Sequence, residues 1–138
     1  HIEGVETNDN SSVVVLADGL GSGVKASILS TLTSKIISTL ISEGLSIEDC
    51  VRTIATTLPV CSVRGVAYST FSILHFENNE RVEIIQYDNP TVLLLREGQS
   101  VEYDKTLLQI ESCLFSKSTL SHFKPSISPR LAPVIKSK

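Results

Sequence analysis

Between Ser12 and Ala17 the chain carries a continuous apolar, largely β-branched run, Val13-Val14-Val15-Leu16-Ala17. A short run of this kind, bounded by polar residues, reads as a strand buried on both faces. The period then changes. Val24, Ile28, Leu29, Leu32, Ile36, Ile37, Leu40 and Ile41 recur at helical spacing, with Ser, Thr and Lys on the opposite face. This predicts a long helix whose apolar stripe, Ile36 and Leu40 included, is buried. Ser22 is placed to cap its start, and Gly44 is its C′ stop. Ser46, with Asp49 three residues on, resembles a capping box with Asp in place of Glu. Ile47, Cys50, Val51, Ile54, Ala55 and Leu58 make a second helical stripe, ended by Pro59. The short turn between the two predicts an antiparallel helical hairpin.

From Val66 the period is two. Val66 to Phe76 reads as a strand, Glu77-Asn78-Asn79-Glu80 as a turn, and Arg81 to Tyr87 as the returning strand. Asp88-Asn89-Pro90 turns the chain into a third strand, Thr91 to Arg96, and a short strand follows near Val101. Leu107 to Phe115 is apolar but irregular. At the other end, His1 to Gly4 resembles the remnant of a purification tag and is set aside. Val5 to Ser11 is turn-like, with Asn8-Asp9-Asn10 as a hairpin tip. From Ser116 onward Ser and Pro punctuate a basic tail that reads as poorly ordered or partner-dependent. The order β, α, α and then a β meander predicts an α+β sandwich, helices packed on a sheet, with a core of about residues 12–115.

Composition narrows the class. A chain of 138 residues is one domain, large enough for a real core. Hydrophobic residues at 41% and charged residues at 20% are ordinary for a soluble globular protein. No apolar run reads as a membrane span, and the polar N-terminus lacks the apolar stretch of a signal peptide, so no membrane partner is expected. Cys50, Cys61 and Cys113 are an odd, widely spaced set, which argues against a disulfide framework or a zinc site and for a reducing, cytoplasmic setting. A net charge of −3 makes no general case for nucleic acid. The charge is uneven: every Asp and Glu precedes Ser112, while Lys117, Lys124, Arg130, Lys136 and Lys138 lie in the tail.

The chemistry concentrates in Asp18-Gly19-Leu20-Gly21-Ser22-Gly23. Glycines are costly to order, so such a stretch implies that backbone comes close to something. It is not a Walker loop, and the dinucleotide fingerprint fits only in Gly19 and Gly21: Val24 stands at the third glycine, and Asp18 would repel a pyrophosphate. An acid at this point suits a metal ion better. The structural alternative is a carboxylate that caps the next helix, with a turn made by glycines.

With Val13 to Ala17 before it and a long helix after it, the motif resembles the Asp-Gly-x-Gly-x-Gly of the metal-dependent protein phosphatases of type 2C, in the bacterial branch named after stage II sporulation protein E. The similarity runs from about Ser12 to Arg96 and includes Leu58-Pro59-Val60-Cys61, Tyr68-Ser69-Thr70-Phe71 and Tyr87-Asp88-Asn89-Pro90. It implies a sandwich of two sheets between two helical layers, of which this chain supplies a part. It also implies that Asp18 bridges two Mn²⁺ or Mg²⁺ ions, joined by the Gly19 carbonyl. Two such ions acidify a bridging water and hold phosphate oxygens, which is what phosphoester hydrolysis requires. The implied substrate is phosphoserine or phosphothreonine on a signalling protein, and a regulatory domain or a second copy is a further partner.

The family also supplies a Gly-Asp upstream of the motif and a Ser-Asp-Gly near the domain end, and neither is in this sequence. Two functions therefore stand side by side: a serine/threonine phosphatase domain, and a catalytically incomplete regulatory or binding domain of the same fold that holds one ion or none. Lys25, in the first helical turn against the helix dipole, reads either as a solvated side chain or as a contact to substrate phosphate. Asp88 and Asn89 read as a turn or as a wall of the cleft. A buried hydrogen bond from Thr70 to the motif is a further expectation. His75, alone in its strand, reads as a surface residue.

Overall fold

The computed structural model describes residues 1–7, 10–20, 23–57, 68–78, 80–110 and 113–121. β1 (Ile2–Glu6) and β2 (Ser11–Leu20) lead into α1 (Gly23–Ser42) and α2 (Ile47–Thr57). Then follow β3 (Tyr68–Glu77), β4 (Arg81–Tyr87), β5 (Leu94–Arg96), β6 (Gln99–Val101), β7 (Thr106–Ile110) and β8 (Cys113–Ser121). Six strands form one sheet in the order β1-β2-β3-β4-β8-β7, every pairing antiparallel, and β5 with β6 makes a separate hairpin. The α+β class follows from the sequence pattern, with both helices on one face of an antiparallel sheet.

β2 is paired on both sides, by β1 and β3. Its two faces differ: Val13, Val15 and Ala17 are fully buried, while Val14 and Leu16 are half-buried. The first set packs with Ile37 and Ile41 of α1, with Ile47, Cys50, Val51 and Ile54 of α2, and with Phe71, Ile73, Ile85 and Phe115 of the sheet. Phe115 lies 5.8 Å from Phe71 and 5.2 Å from Tyr87, centroid to centroid, so an aromatic cluster fills the middle of this core. The turn between the helices is built as its residues dictate. Gly44 takes φ +94°, its N–H reaches Ile41 O at 3.0 Å, and Leu45 N–H reaches Leu40 O at 3.1 Å, the paired bonds of a Schellman stop. Ser46 Oγ then accepts the Asp49 N–H at 3.2 Å and caps α2.

The buried face of α1 overlaps the apolar stripe only in part, at Ile37 and Ile41. Ala26, Ser30, Thr33, Ser34, Ile37, Ser38 and Ile41 face the sheet, whereas Val24, Ile28 and Leu32 are exposed and Ile36 and Leu40 are half-buried at the core's margin. The hydroxyls explain why. Thr33 donates to Leu29 O, Ser30 to Ser27 O, Ser34 to Thr31 O and Ser38 to Lys35 O, all at 2.7–3.1 Å. Each is satisfied inside its own helix, so burial leaves no polar group unpaired, and the small side chains let α1 lie close to β2. By length and composition alone α1 could cross a bilayer.

Three further expectations are corrected. Ile2 to Glu6, set aside as a tag remnant and a turn, is an edge strand, with Gly4 opposite Val14, Val5 opposite Val13 and Glu3 bonded to Lys35 at 2.9 Å. The third strand shrinks to Leu94–Arg96, while the irregular stretch 107–115 becomes β7 and the start of β8. Ser116 to Ser121, read as the start of a loose tail, is strand inserted between β4 and β7, where alternation puts Ser116 and Ser118 on one face and Phe115 and Lys117 on the other. Leu58 to Ala67, the motif residues Gly21 and Ser22, the tip residues Asn8 and Asp9, and the tail beyond Ser121 lie outside the described residues.

Candidate functional site

Asp18 stands near the end of β2, directly opposite Thr70 of β3, and is exposed. Two buried side chains hold this point of the strand. Ser69 Oγ and Thr70 Oγ1 each donate to the Asp18 carbonyl at 3.3 Å, so the expected Thr70 bond to the motif is present, with Ser69 beside it. One carboxylate oxygen of Asp18 accepts the Gly19 N–H at 2.9 Å, which folds the side chain against its own backbone.

Gly19 is explained by packing. A Cβ at this position would sit 1.9 Å from the Ala26 carbonyl oxygen and 2.4 Å from its carbon. The backbone that comes close to the motif is thus the first turn of α1. Gly23, which opens α1, takes φ +48°, a left-handed conformation that suits glycine. Strand, close contact and left-handed step together put Asp18 at a fixed place beside the start of the long helix. Lys25 is exposed in the first turn of α1.

Asp88 and Asn89 follow β4 directly. Tyr87 pairs with Phe71, one row from the Asp18–Thr70 pair, so Asp88 falls level with Asp18 at the same end of the sheet. Two strand spacings separate those rows, about 10 Å. Asp88 is exposed and takes φ +51°, a turn conformation. Asn89 Nδ2 donates to Ser72 Oγ at 3.1 Å, and Gln86 Nε2 donates to the same oxygen at 3.1 Å and to Pro90 O at 2.8 Å. This buried knot ties the turn onto the sheet face opposite the helices.

The profile of the family described as Stage II sporulation protein E (SpoIIE) matches residues 8–110. The chain belongs to the Stage II sporulation protein E family. The SpoIIE family is type 2C-like, and the sheet with its helical pair is consistent with a part of that phosphatase fold. The match ends at Ile110, just before β8, which the structure nonetheless inserts beside β4. No curated protein and no solved structure matches the chain.

Type 2C-like phosphatases generally use divalent metals. Among the described residues, the group of three or more His, Cys, Asp or Glu able to share an ion is His75, Glu77 and Glu83, and Asp18 belongs to no such group. Thr70, which faces Asp18, is five residues before His75 on β3, about 16 Å along the strand. One exposed carboxylate fits an anchoring ligand for an ion and does not fit a whole two-ion centre, because hard divalent ions take six or more oxygens. The sequence reading left His75 as a lone surface residue. The i, i+2 spacing to Glu77 was visible, but the cross-strand neighbour Glu83 required the hairpin register.

The cysteines divide. Cys50 is free and fully buried, and its burial and then the adjacent Asp49 push its thiol up to about 11. Cys113 is disulfide-bonded. An odd cysteine count therefore left one thiol over and did not preclude a bridge.

Proposed function

We propose that this SpoIIE-family domain is a metal-dependent serine/threonine phosphatase domain, with Asp18 as the carboxylate that anchors Mn²⁺ or Mg²⁺. The observation that supports this most is the setting of Asp18. Two buried hydroxyls and a glycine in contact with α1 fix it at a strand end, exposed to solvent, within a chain that the family profile covers from residue 8 to 110. Lys25 and the Asp88–Asn89 turn are the polar groups assigned to the substrate side, Lys25 for its charge and the turn for its level with Asp18.

A second reading keeps Asp18 and its fold but not turnover: a regulatory or binding domain. That Asp18 belongs to no group of three or more ligand side chains among the described residues favours it. One experiment separates the two. Hydrolysis of para-nitrophenyl phosphate and of a phosphoserine peptide is measured with Mn²⁺, for the native chain and for Asp18→Ala. Turnover that Asp18→Ala abolishes supports the phosphatase. Binding of Mn²⁺ that depends on Asp18, without turnover, supports the second reading. Neither binding nor turnover removes the phosphatase and leaves a domain of this fold that holds no ion.

A further inference from the structure

The end of the β3–β4 hairpin carries a cluster that the phosphatase reading does not use. His75 faces Glu83 across the strands, and Glu77 faces Arg81. Opposed residues of an antiparallel pair share a face, as do residues two apart on one strand, so all four side chains lie on the helix-covered side. Beyond Val13 the apolar core gives way to these polar groups.

His75 is the unusual member. Its Nδ1 is buried and has no hydrogen-bond partner, although buried ring nitrogens are ordinarily satisfied. The nearest acceptors are Glu77 Oε1 at 3.6 Å and Glu83 Oε2 at 3.8 Å, too far for a hydrogen bond. They are well spaced for something else. Two ligand atoms each about 2.1 Å from one ion, at a tetrahedral angle, stand roughly 3.4 Å apart. One ligand atom from each of the three residues lies within 4.8 Å of the other two. His75, Glu77 and Glu83 are 16%, 32% and 15% exposed, so the site is partly shielded yet reachable.

We propose that His75 Nδ1, Glu77 and Glu83 form a binding site for one borderline divalent transition ion, such as Zn²⁺, with water completing the shell. One imidazole with two carboxylates suits such an ion better than Mg²⁺ or Ca²⁺, which take oxygen alone. Arg81 tunes the site. Its guanidinium lies 2.9 Å from Glu83 Oε1 and 3.7 Å from Glu77 Oε2, the oxygens turned away from His75. It orients both carboxylates and opposes the ion's charge, so affinity is set below that of a bare three-ligand site. The site lies at the turn end of the hairpin and is independent of Asp18.

The test is a titration of the native chain with Zn²⁺, followed by the ¹⁵N shifts of the imidazole nitrogens, with Co²⁺ absorption for stoichiometry. The expected result is one ion per chain and a ligation shift at His75 Nδ1, which the same spectrum separates from His1 and His122. Glu83→Gln and His75→Gln should each weaken binding by about ten- to a hundred-fold. Arg81→Gln should strengthen it by about ten-fold, and it serves where a ligand variant fails to fold. Asp18→Asn should leave it unchanged. An unshifted His75 Nδ1 under saturating Zn²⁺ would overturn the proposal, as would Zn²⁺ binding that Asp18→Asn abolishes.

Discussion

Replacing Gly19 by alanine sets two effects against each other. Glycine in a strand interior gives up more backbone entropy than alanine, which alone predicts a gain of about 0.5–1 kcal/mol for Gly19→Ala. The new methyl, however, would stand 1.9 Å from Ala26 O and 2.8 Å from Ala26 Cα. A normal carbon–oxygen contact is about 3.4 Å, so roughly 1.5 Å of separation is missing. Neither side yields easily. Gly19 is held in the β2–β3 ladder opposite Ser69, and Ala26 is buried helix backbone. Relief means lifting the first turn of α1 off the sheet, and overpacking of this kind costs about 1–3 kcal/mol or more. The clash wins, and Gly19→Ala should lose about 2 kcal/mol, read by urea unfolding in far-ultraviolet circular dichroism. Gly4→Ala is the control: its added Cβ meets nothing within 4 Å, so it should be neutral or slightly stabilising. A Gly19→Ala protein as stable as the native chain would refute the close-contact account of the motif.

The shifted helix face predicts that Ile37→Ala, fully buried, destabilises by about 2–5 kcal/mol while the exposed Ile28→Ala stays within about 0.5 kcal/mol, by the same unfolding assay. Equal effects at the two sites would restore the apolar-stripe reading. Ser69 and Thr70 serve one carbonyl, so Ser69→Ala or Thr70→Val alone should cost about 0.5–1.5 kcal/mol, and the double variant more than the sum; strict additivity would argue against a shared acceptor. Raising the Cys50 thiol from 9.0 to about 11 cuts its thiolate fraction about a hundred-fold below both values, so alkylation at pH 8 should be slow in the native chain and fast in urea. The neutral thiol is the form that folding favours, so its contribution to stability is full below pH 9.0 and is lost as pH rises toward about 11. Cys50→Ala should flatten the decline of the urea midpoint across that window, and an unaltered decline would show that other groups cause it.

Periodicity found the elements whose burial is one-sided by hydrophobicity. β2, α2, the β3–β4 hairpin and the glycine and serine of the interhelix turn all follow from residue pattern. α1 misled because burial there is carried by Ser30, Thr33, Ser34 and Ser38, whose hydroxyls are paired within the helix and so cost little to bury. β8 misled for a related reason: alternating Ser and Lys looks like a linker until β4 and β7 pair with it on both sides. At the site, Asp18 and Gly19 were legible as a motif, and Thr70 as its support. The reason for Gly19 was not, since the contact with Ala26 exists only once α1 folds back on β2. The His75 cluster was hidden because Glu83 is brought in by strand register, which a single sequence leaves open.

The central claim is that Asp18 anchors a divalent ion. Its most direct measurement is Mn²⁺ binding by water-proton relaxation, for the native chain and for Asp18→Asn, each repeated with His75→Gln so that the hairpin cluster is separated. The account predicts weak binding, with a dissociation constant on the order of millimolar because one carboxylate supplies few of the ligands required. That binding persists in His75→Gln and disappears in Asp18→Asn. Mn²⁺ binding that survives Asp18→Asn in the His75→Gln background would contradict it.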